Sequence, residues 1–227
     1  MKQSGGSEAA KCRAGESAAA AVEDGSVVGL GTGSTAAAAI RELGRRVDGG
    51  LEVHGIPTSH GARRLAREAG IPLTTLEAAT PDLAIDGADQ VADGALVKGG
   101  GAAHTREKLV DTAADRFLVV VDDSKRAAAL DLPVPLEALA DAVPVVESRL
   151  AALGGDPQLR AAERKDGPVV TENGHLVVDC EFGVIDDPES LAATLSAIPG
   201  VVEHGLFVGV ADKIHVGTED GVEVLEP

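Results

Sequence analysis

The stretch Ser26-Val-Val-Gly-Leu-Gly-Thr-Gly-Ser-Thr35, followed by Ala36 to Arg46, decides the fold. Its first half, Ser26 to Leu30, is a short apolar run suited to a buried strand. Gly31 to Ser34 then reads as a tight loop, and Thr35 to Arg46 as an Ala-rich helix. Upstream, residues 8–23 read as another Ala-rich helix, ended by Asp24-Gly25. Downstream, strands are expected at Leu51 to His54, Asp82 to Ile85, Ala95 to Lys98 and Phe117 to Val121, the last the most apolar. Helices are expected near Ser59 to Ala69, after the turn at Pro57, and at Ala102 to Ala114. Strand and helix in alternation predict an α/β layer fold, a mainly parallel, Rossmann-like sheet flanked by helices.

The pattern changes near Leu130. Asp131-Leu-Pro-Val-Pro135 reads as a rigid extended connector, because proline restricts itself and the residue before it. Beyond it, Val143 to Val146 reads as a strand and Ser148 to Leu153 as a helix. A hairpin pair, Val169 to Thr171 and His175 to Asp179, turns at Glu172-Asn-Gly174. Pro188 to Ala197 is a further helix, and Pro199-Gly200 introduces the strand Val201 to Glu203. Lys213 to Val216 and Val222 to Leu225 return to the first sheet. The expected organisation is an α/β catalytic domain of residues 1–130 and 206–227 with a smaller α+β domain, 131–205, inserted in it.

Composition supports this reading. Hydrophobic residues make up 44% of the 227, yet aromatics only 1%, so the core is built from Val, Leu, Ile and Ala. The net charge of −17, with 37 acids against 20 bases of which seven are lysines, repels nucleic acid and anionic membranes. An acidic, lysine-poor surface also points to a salt-loving source. No apolar run is long enough to cross a bilayer, and the polar start, Met1 to Ser7, lacks a signal-peptide pattern, so a cytoplasmic protein is expected. Cys12 and Cys180 have no partner spacing for metal or redox work and read as free thiols.

Three motifs carry chemistry. In the first, Gly29 to Thr35, glycines admit an anion to the backbone and a helix N-terminus aims N–H groups at it, while Thr32, Ser34 and Thr35 add hydroxyls. Gly31-x-Gly33-x-x-Ala36 also fits a relaxed dinucleotide fingerprint, but Glu52 falls inside the next expected strand rather than at its end, and no Walker lysine follows. The hydroxyls favour a monophosphate. The second motif, Asp86-Gly87-Ala88-Asp89, puts two carboxylates after an expected strand, where groups face the ligand crevice. A solvated acidic turn is the plain alternative, and EF-hand spacing is absent.

The third motif is Lys98-Gly99-Gly100-Gly101-Ala102-Ala103-His104-Thr105-Arg106-Glu107-Lys108. Three consecutive glycines are conformationally costly, so a ligand at the backbone explains them better than packing. A cation, two Asp and a Glu near a phosphate cradle are the parts that move a proton beside a carbonyl and stabilise an enediolate. Glu107 is preferred to His104 as the base, since a lone His on a helix is more often a surface or packing residue. The remaining histidines form no ligand-spaced cluster, so no metal is expected.

Taken together, GLGTGSTA (Gly29 to Ala36), IDGADQV (Ile85 to Val91), VKGGGAAHTREKL (Val97 to Leu109) and Asp123-Ser124-Lys125 resemble the ribose-5-phosphate isomerase A family. Later echoes are Thr171-Glu-Asn-Gly174, Ala197-Ile-Pro-Gly-Val-Val202 and Gly205-Leu-Phe207, in the family's order across nearly the whole chain. The resemblance implies reversible interconversion of ribose 5-phosphate and ribulose 5-phosphate, without metal or organic cofactor. It implies Glu107 as the base, Asp86 assisting ring opening, Asp89 orienting hydroxyls and Lys98 stabilising negative charge. It also implies substrate binding by Thr32, Gly33, Ser34 and Thr35, by Asp86 to Asp89 including Gly87 and Ala88, by Lys98, Gly99, Gly100 and Gly101, and by Lys125 and Lys11. A ferredoxin-like inserted domain and a homodimer or homotetramer belong to the same expectation. Gln90 and His104 depart from the family pattern, which usually has Glu and an apolar residue there. A related sugar-phosphate isomerase, a non-catalytic sugar-phosphate-binding regulator and a dinucleotide-dependent dehydrogenase are the alternatives.

Overall fold

The computed structural model describes residues 6–227; the reading of the first five residues of the polar start lies outside them. In chain order the elements are α1 (Glu8–Ala19), β1 (Val27–Leu30), α2 (Ser34–Asp48), β2 (His54–Pro57), α3 (His60–Glu68), β3 (Leu83–Asp86), β4 (Gln90–Ala92), β5 (Ala95–Val97), α4 (His104–Ala113) and β6 (Phe117–Asp122). They continue as β7 (Val134–Ala138), α5 (Val143–Ala152), β8 (Asp156–Leu159), β9 (Leu176–Glu181), α6 (Pro188–Ser196), β10 (Val201–His204), β11 (Leu206–Phe207), β12 (Lys213–Gly217) and β13 (Val222–Leu225). The described residues divide into two compact units, one of Asp89–Thr105 and Ala127–Val208, the other of residues 6–88 with Arg106–Arg126 and Gly209–Pro227.

The second of these holds a six-stranded sheet in the order β13-β12-β6-β3-β1-β2, parallel throughout except for the β12–β13 pair. All six residues of β6 are buried, which is why Phe117 to Val121 reads as an unbroken apolar run rather than an alternating one. The alanines of α1 and α2 have a packing reason. A methyl on Gly15 would lie 2.6 Å from the Ala39 backbone nitrogen, so only small residues let the two helices come this close. The strand expected at Leu51 to His54 lies instead at His54–Pro57, in register with Val27–Leu30. Leu51 to Val53 form an extended link, with Glu52 N–H donating to Asp24 Oδ1 at 2.8 Å and Glu52 C=O accepting from Gly25 N–H at 2.7 Å. Pro57 is tolerated because β2 is the edge strand.

The other unit runs β7-α5-β8-β9-α6-β10, with an antiparallel sheet in the order β10-β7-β9-β8. This is the ferredoxin-like βαββαβ arrangement. Its core gathers Leu130, Val134, Leu136, Val146, Leu150, Val178, Leu195 and Ile198. Two readings are corrected here. Val143 to Val146 belongs to helix α5, with Pro144 in its first turn, where a missing N–H costs nothing. The connector through Pro135 enters strand β7, and Pro135 is accommodated because the β10 pairing stops opposite Leu136. The turn at Glu172-Asn-Gly174 forms as read, Thr171 N–H donating to His175 C=O at 2.9 Å and Gly174 at φ 86°. A small sheet, β11-β5-β4, completes the unit. Ala92, Ala95 and Val97 join its core, so Asp89–Thr105 groups with the segment after Leu130 rather than with the residues before it.

Candidate active site

In a parallel sheet the C-terminal ends of the strands share one edge, and the chain leaves β1, β2, β3 and β6 there with a polar residue each time. After β1 comes Gly31-Thr32-Gly33. Thr32 N–H donates to Asp86 Oδ1 at 2.9 Å, and Gly87 N–H donates to the same oxygen at 2.6 Å. The Thr32 hydroxyl lies 2.9 Å from that of Thr58 and donates to Ser59 Oγ at 2.7 Å. Asp86, last residue of β3, has no exposed surface. Helix α2 begins after Gly33, whose φ of 113° a side chain disfavours, and no side chain caps it. The N–H groups of Ser34 and Thr35 therefore face a site suited to an oxyanion.

The same edge carries Asp122 at the end of β6, which accepts from Ser124 N–H at 3.1 Å and so shapes the short turn Asp123–Lys125. Lys125 stands half-buried at the end of that turn, and Lys11 half-buried in the first turn of α1.

Asp86-Gly87-Ala88-Asp89 passes from one unit to the other, so the two acids belong to different bodies. Asp89 accepts from Gly100 N–H at 2.7 Å, and a methyl on Gly100 would press on that carboxylate at 2.9 Å. Lys98 is buried, its Nζ 5.3 Å from the centre of the Phe207 ring, and its N–H donates to Gly205 C=O at 2.8 Å. The triple-glycine loop is thus held at several points. Gly99 has φ 103° and packs on the His104 ring; Ala102 adopts φ 59°, a conformation costly for any residue with a Cβ.

Helix α4 starts directly after this loop. Glu107, in its first turn, is 4% exposed, and His104 is fully buried, in packing contact with Gly99. Gln90 has a structural role. Its amide donates to Asp131 Oδ1 at 2.6 Å and accepts from Asp131 N–H at 2.9 Å, a pairing a glutamate would turn into repulsion. Among the described residues no group of three His, Cys, Asp or Glu is arranged to hold a metal ion, and no helix is long and apolar enough to cross a membrane.

Sequence reading missed Thr58 and Ser59, because the strand that presents them was placed three residues early. It also missed Arg160, which binds the Asp179 carboxylate and whose Nη1 donates to Gly99 C=O at 3.0 Å. Glu137, fully buried on β7, escaped as well. It accepts from the Thr105 hydroxyl, from the Thr171 hydroxyl at 2.9 Å and from the Asn173 amide at 3.0 Å.

Comparison with known proteins shows the family. Residues 54–221 match the family model described as ribose 5-phosphate isomerase A (phosphoriboisomerase A). A ribose-5-phosphate isomerase A of Natronomonas pharaonis is 72% identical over 224 residues, spanning 99% of this chain and 100% of that one. One of Haloarcula marismortui is 66% identical, spanning 99% and 98%. Among solved structures, ribose 5-phosphate isomerase A of Methanocaldococcus jannaschii superposes with a TM-score of 0.93 at 45% identity, covering 96% of this chain and 98% of that one. A D-ribose-5-phosphate isomerase in complex with phospho-erythronic acid superposes with a TM-score of 0.95 at 40% identity, covering 98% and 100%.

Proposed function

The chain belongs to the ribose 5-phosphate isomerase A family, and from that premise we propose how its residues divide an aldose–ketose isomerisation between them. The reaction converts ribose 5-phosphate to ribulose 5-phosphate by moving a proton from C2 to C1 through an enediolate. The phosphate sits on the α2 N-terminus among Thr32, Gly33, Ser34 and Thr35, with Lys125 and Lys11 adding charge. Asp86, held by two backbone N–H groups, stays oriented toward the sugar and assists ring opening. Glu107 removes the C2 proton and returns it to C1. Lys98 stabilises charge on the oxygens of the enediolate, the Gly99–Gly101 backbone lies against the sugar, and Asp89 orients hydroxyls. Proton transfer and charge stabilisation come from this chain's own groups, and the proposed reaction calls on neither metal nor organic cofactor.

The observation that carries this reading is the burial of Asp86 and Glu107, two carboxylates of the unit that also holds the Thr32 to Thr35 loop. Burial is expensive for a carboxylate, and acid–base work is what such an expense serves. The acidic surface, with net charge −17, accords with relatives from halophilic archaea and leaves the substrate's attraction to the local cations. A cytoplasmic homodimer or homotetramer completes the proposal, its test the molar mass in solution at working salt.

The activity is tested by following ribulose 5-phosphate formation from ribose 5-phosphate in a chelator. Undiminished turnover and competitive inhibition by phospho-erythronic acid, whose carboxylate resembles an enediolate, support the proposal. Loss of turnover restored by a divalent ion would refute its metal-free form, and absence of turnover with or without the ion would refute the activity.

A further inference from the structure

We propose that Arg160, on the ferredoxin-like unit, is a positioning residue that sets the peptide planes of the triple-glycine loop and so turns its N–H groups toward the reacting sugar. The inference rests on the proposal that Lys98 to Gly101 bind substrate. Arg160 uses its guanidinium at both ends. Nε and Nη2 hold the Asp179 carboxylate, the Nε bond being 2.7 Å, while Nη1 donates to Gly99 C=O at 3.0 Å and to Gly100 C=O at 3.3 Å. Its side chain is 13% exposed and that of Asp179 20%, so solvent competes little with these bonds.

A trans peptide places its carbonyl and the following N–H on opposite sides, and none of the described peptide bonds is cis. With Gly99 C=O drawn to Arg160, Gly100 N–H must point the other way, and it donates to Asp89 at 2.7 Å. With Gly100 C=O drawn to Arg160 as well, Gly101 N–H is turned to the side where Asp89 lies. Two successive N–H groups on one side, one spent on Asp89, leave the second aimed where an oxyanion develops. The turn bond from Ala102 N–H to Gly99 C=O at 3.0 Å spans these glycines, whose backbone has many accessible conformations, and Arg160 adds a second hold. Ala102, at φ 59°, is strained at the loop's far end. Arg160 and Asp179 stand in the wall of a cavity of about 530 Å³ that also exposes Gly100, Gly101 and Ala102. A small cation can therefore reach the place a shortened side chain would leave.

The test is Arg160→Ala assayed for ribose 5-phosphate turnover, with and without guanidinium chloride, against KCl at equal ionic strength. We expect kcat to fall roughly 10- to 100-fold with KM changed less than about threefold, as for loss of a residue that orients a catalytic group. Guanidinium at tens of millimolar should restore at least several-fold of that loss, and do nothing for the wild type or for Glu107→Gln. A kcat within twofold of wild type, or a loss that guanidinium leaves untouched, would overturn the proposal. If the alanine variant melts below assay temperature, Arg160→Lys decides. One ammonium cannot span the carboxylate and both carbonyls, so a lowered kcat supports the clamp and a wild-type kcat overturns it. Lys98→Met separates the two proposals. If it retains activity, the loop's assignment to substrate fails; if it is inactive beside a fully active Arg160→Ala, only the clamp fails.

Discussion

Asp86 leans on Gly31 so closely that no other residue fits there: a methyl on Gly31 would lie 2.2 Å from Asp86 Oδ1 and 2.5 Å from its Cα. The contact lets the neighbouring Thr32 N–H reach that carboxylate. Gly33, two residues on, has open space around it and is glycine for its φ of 113° alone. Gly31→Ala should therefore move Asp86 and cost roughly 10² in kcat, the usual effect of about 1 Å of displacement at a reacting group. Gly33→Ala should lower the melting temperature through backbone strain and impair kcat less. Steady-state kinetics and melting of both variants check the order; equal kcat losses would dissociate Asp86 from the Gly31 contact.

Cys180 is buried among apolar side chains, and desolvation, reinforced by Asp156 and Glu181, pushes its thiol up to about 12. Thiolate is the reactive form, so Cys180 should resist a thiol reagent at pH 8 in the native protein while Cys12, half-buried on α1, reacts first. Mass mapping after brief alkylation identifies the labelled cysteine, and early labelling of Cys180 would contradict its placement in the core.

How much of this was legible in the sequence depends on what each residue answers to. Phe117 to Val121 and Ser26 to Leu30 were readable because strands covered on both faces need only be apolar and short. The glycine motifs stood out because backbone geometry restricts where glycine is needed, whereas the acid motif read equally as a solvated turn, and the burial of Asp86 appears only in the fold. Val143 to Val146 misled because an apolar run of four reads equally as strand or helix, and only the packing of Val146 and Leu150 into the second core selects the helix. Strand β8 was invisible, since its residues are largely exposed and carry no alternation. Arg160 was unreadable for another reason: its partners, the Gly99 carbonyl and Asp179, lie 61 and 19 residues away. Long-range polar contacts leave no local pattern.

His215 on β12 is buried, its Nδ1 2.9 Å from the Ser17 hydroxyl. Burial, with the positive charge of Lys213 nearby, lowers its pKa from the ordinary 6.5. The unfolded chain therefore takes up a proton at higher pH than the folded one, and stability falls as pH drops below about 6.5. His215→Gln should flatten the dependence of melting temperature on pH between 7 and 5. An unchanged slope would assign the acid sensitivity to the carboxylates instead.

With 37 acids and 20 bases, self-repulsion should weaken the fold in dilute buffer. The Debye length shrinks from about 30 Å at 0.01 M salt to about 3 Å at 1 M, so melting temperature should climb steadily with added KCl. A melting temperature indifferent to KCl would count against adaptation of this surface to salt.

The proposed isomerisation depends on Glu107 carrying the proton between C2 and C1. Glu107→Gln keeps the shape and one acceptor oxygen of a buried side chain but cannot take up a proton. The measurement is turnover of ribose 5-phosphate by this variant in deuterium oxide, with label at C1 and C2 read in the recovered sugar phosphate. If Glu107 is the base, kcat falls by roughly 10²–10⁴, KM is nearly unchanged and no solvent deuterium is incorporated. Near-normal turnover with deuterium still entering the sugar, while His104→Ala abolishes both, would contradict it and move the base to the histidine.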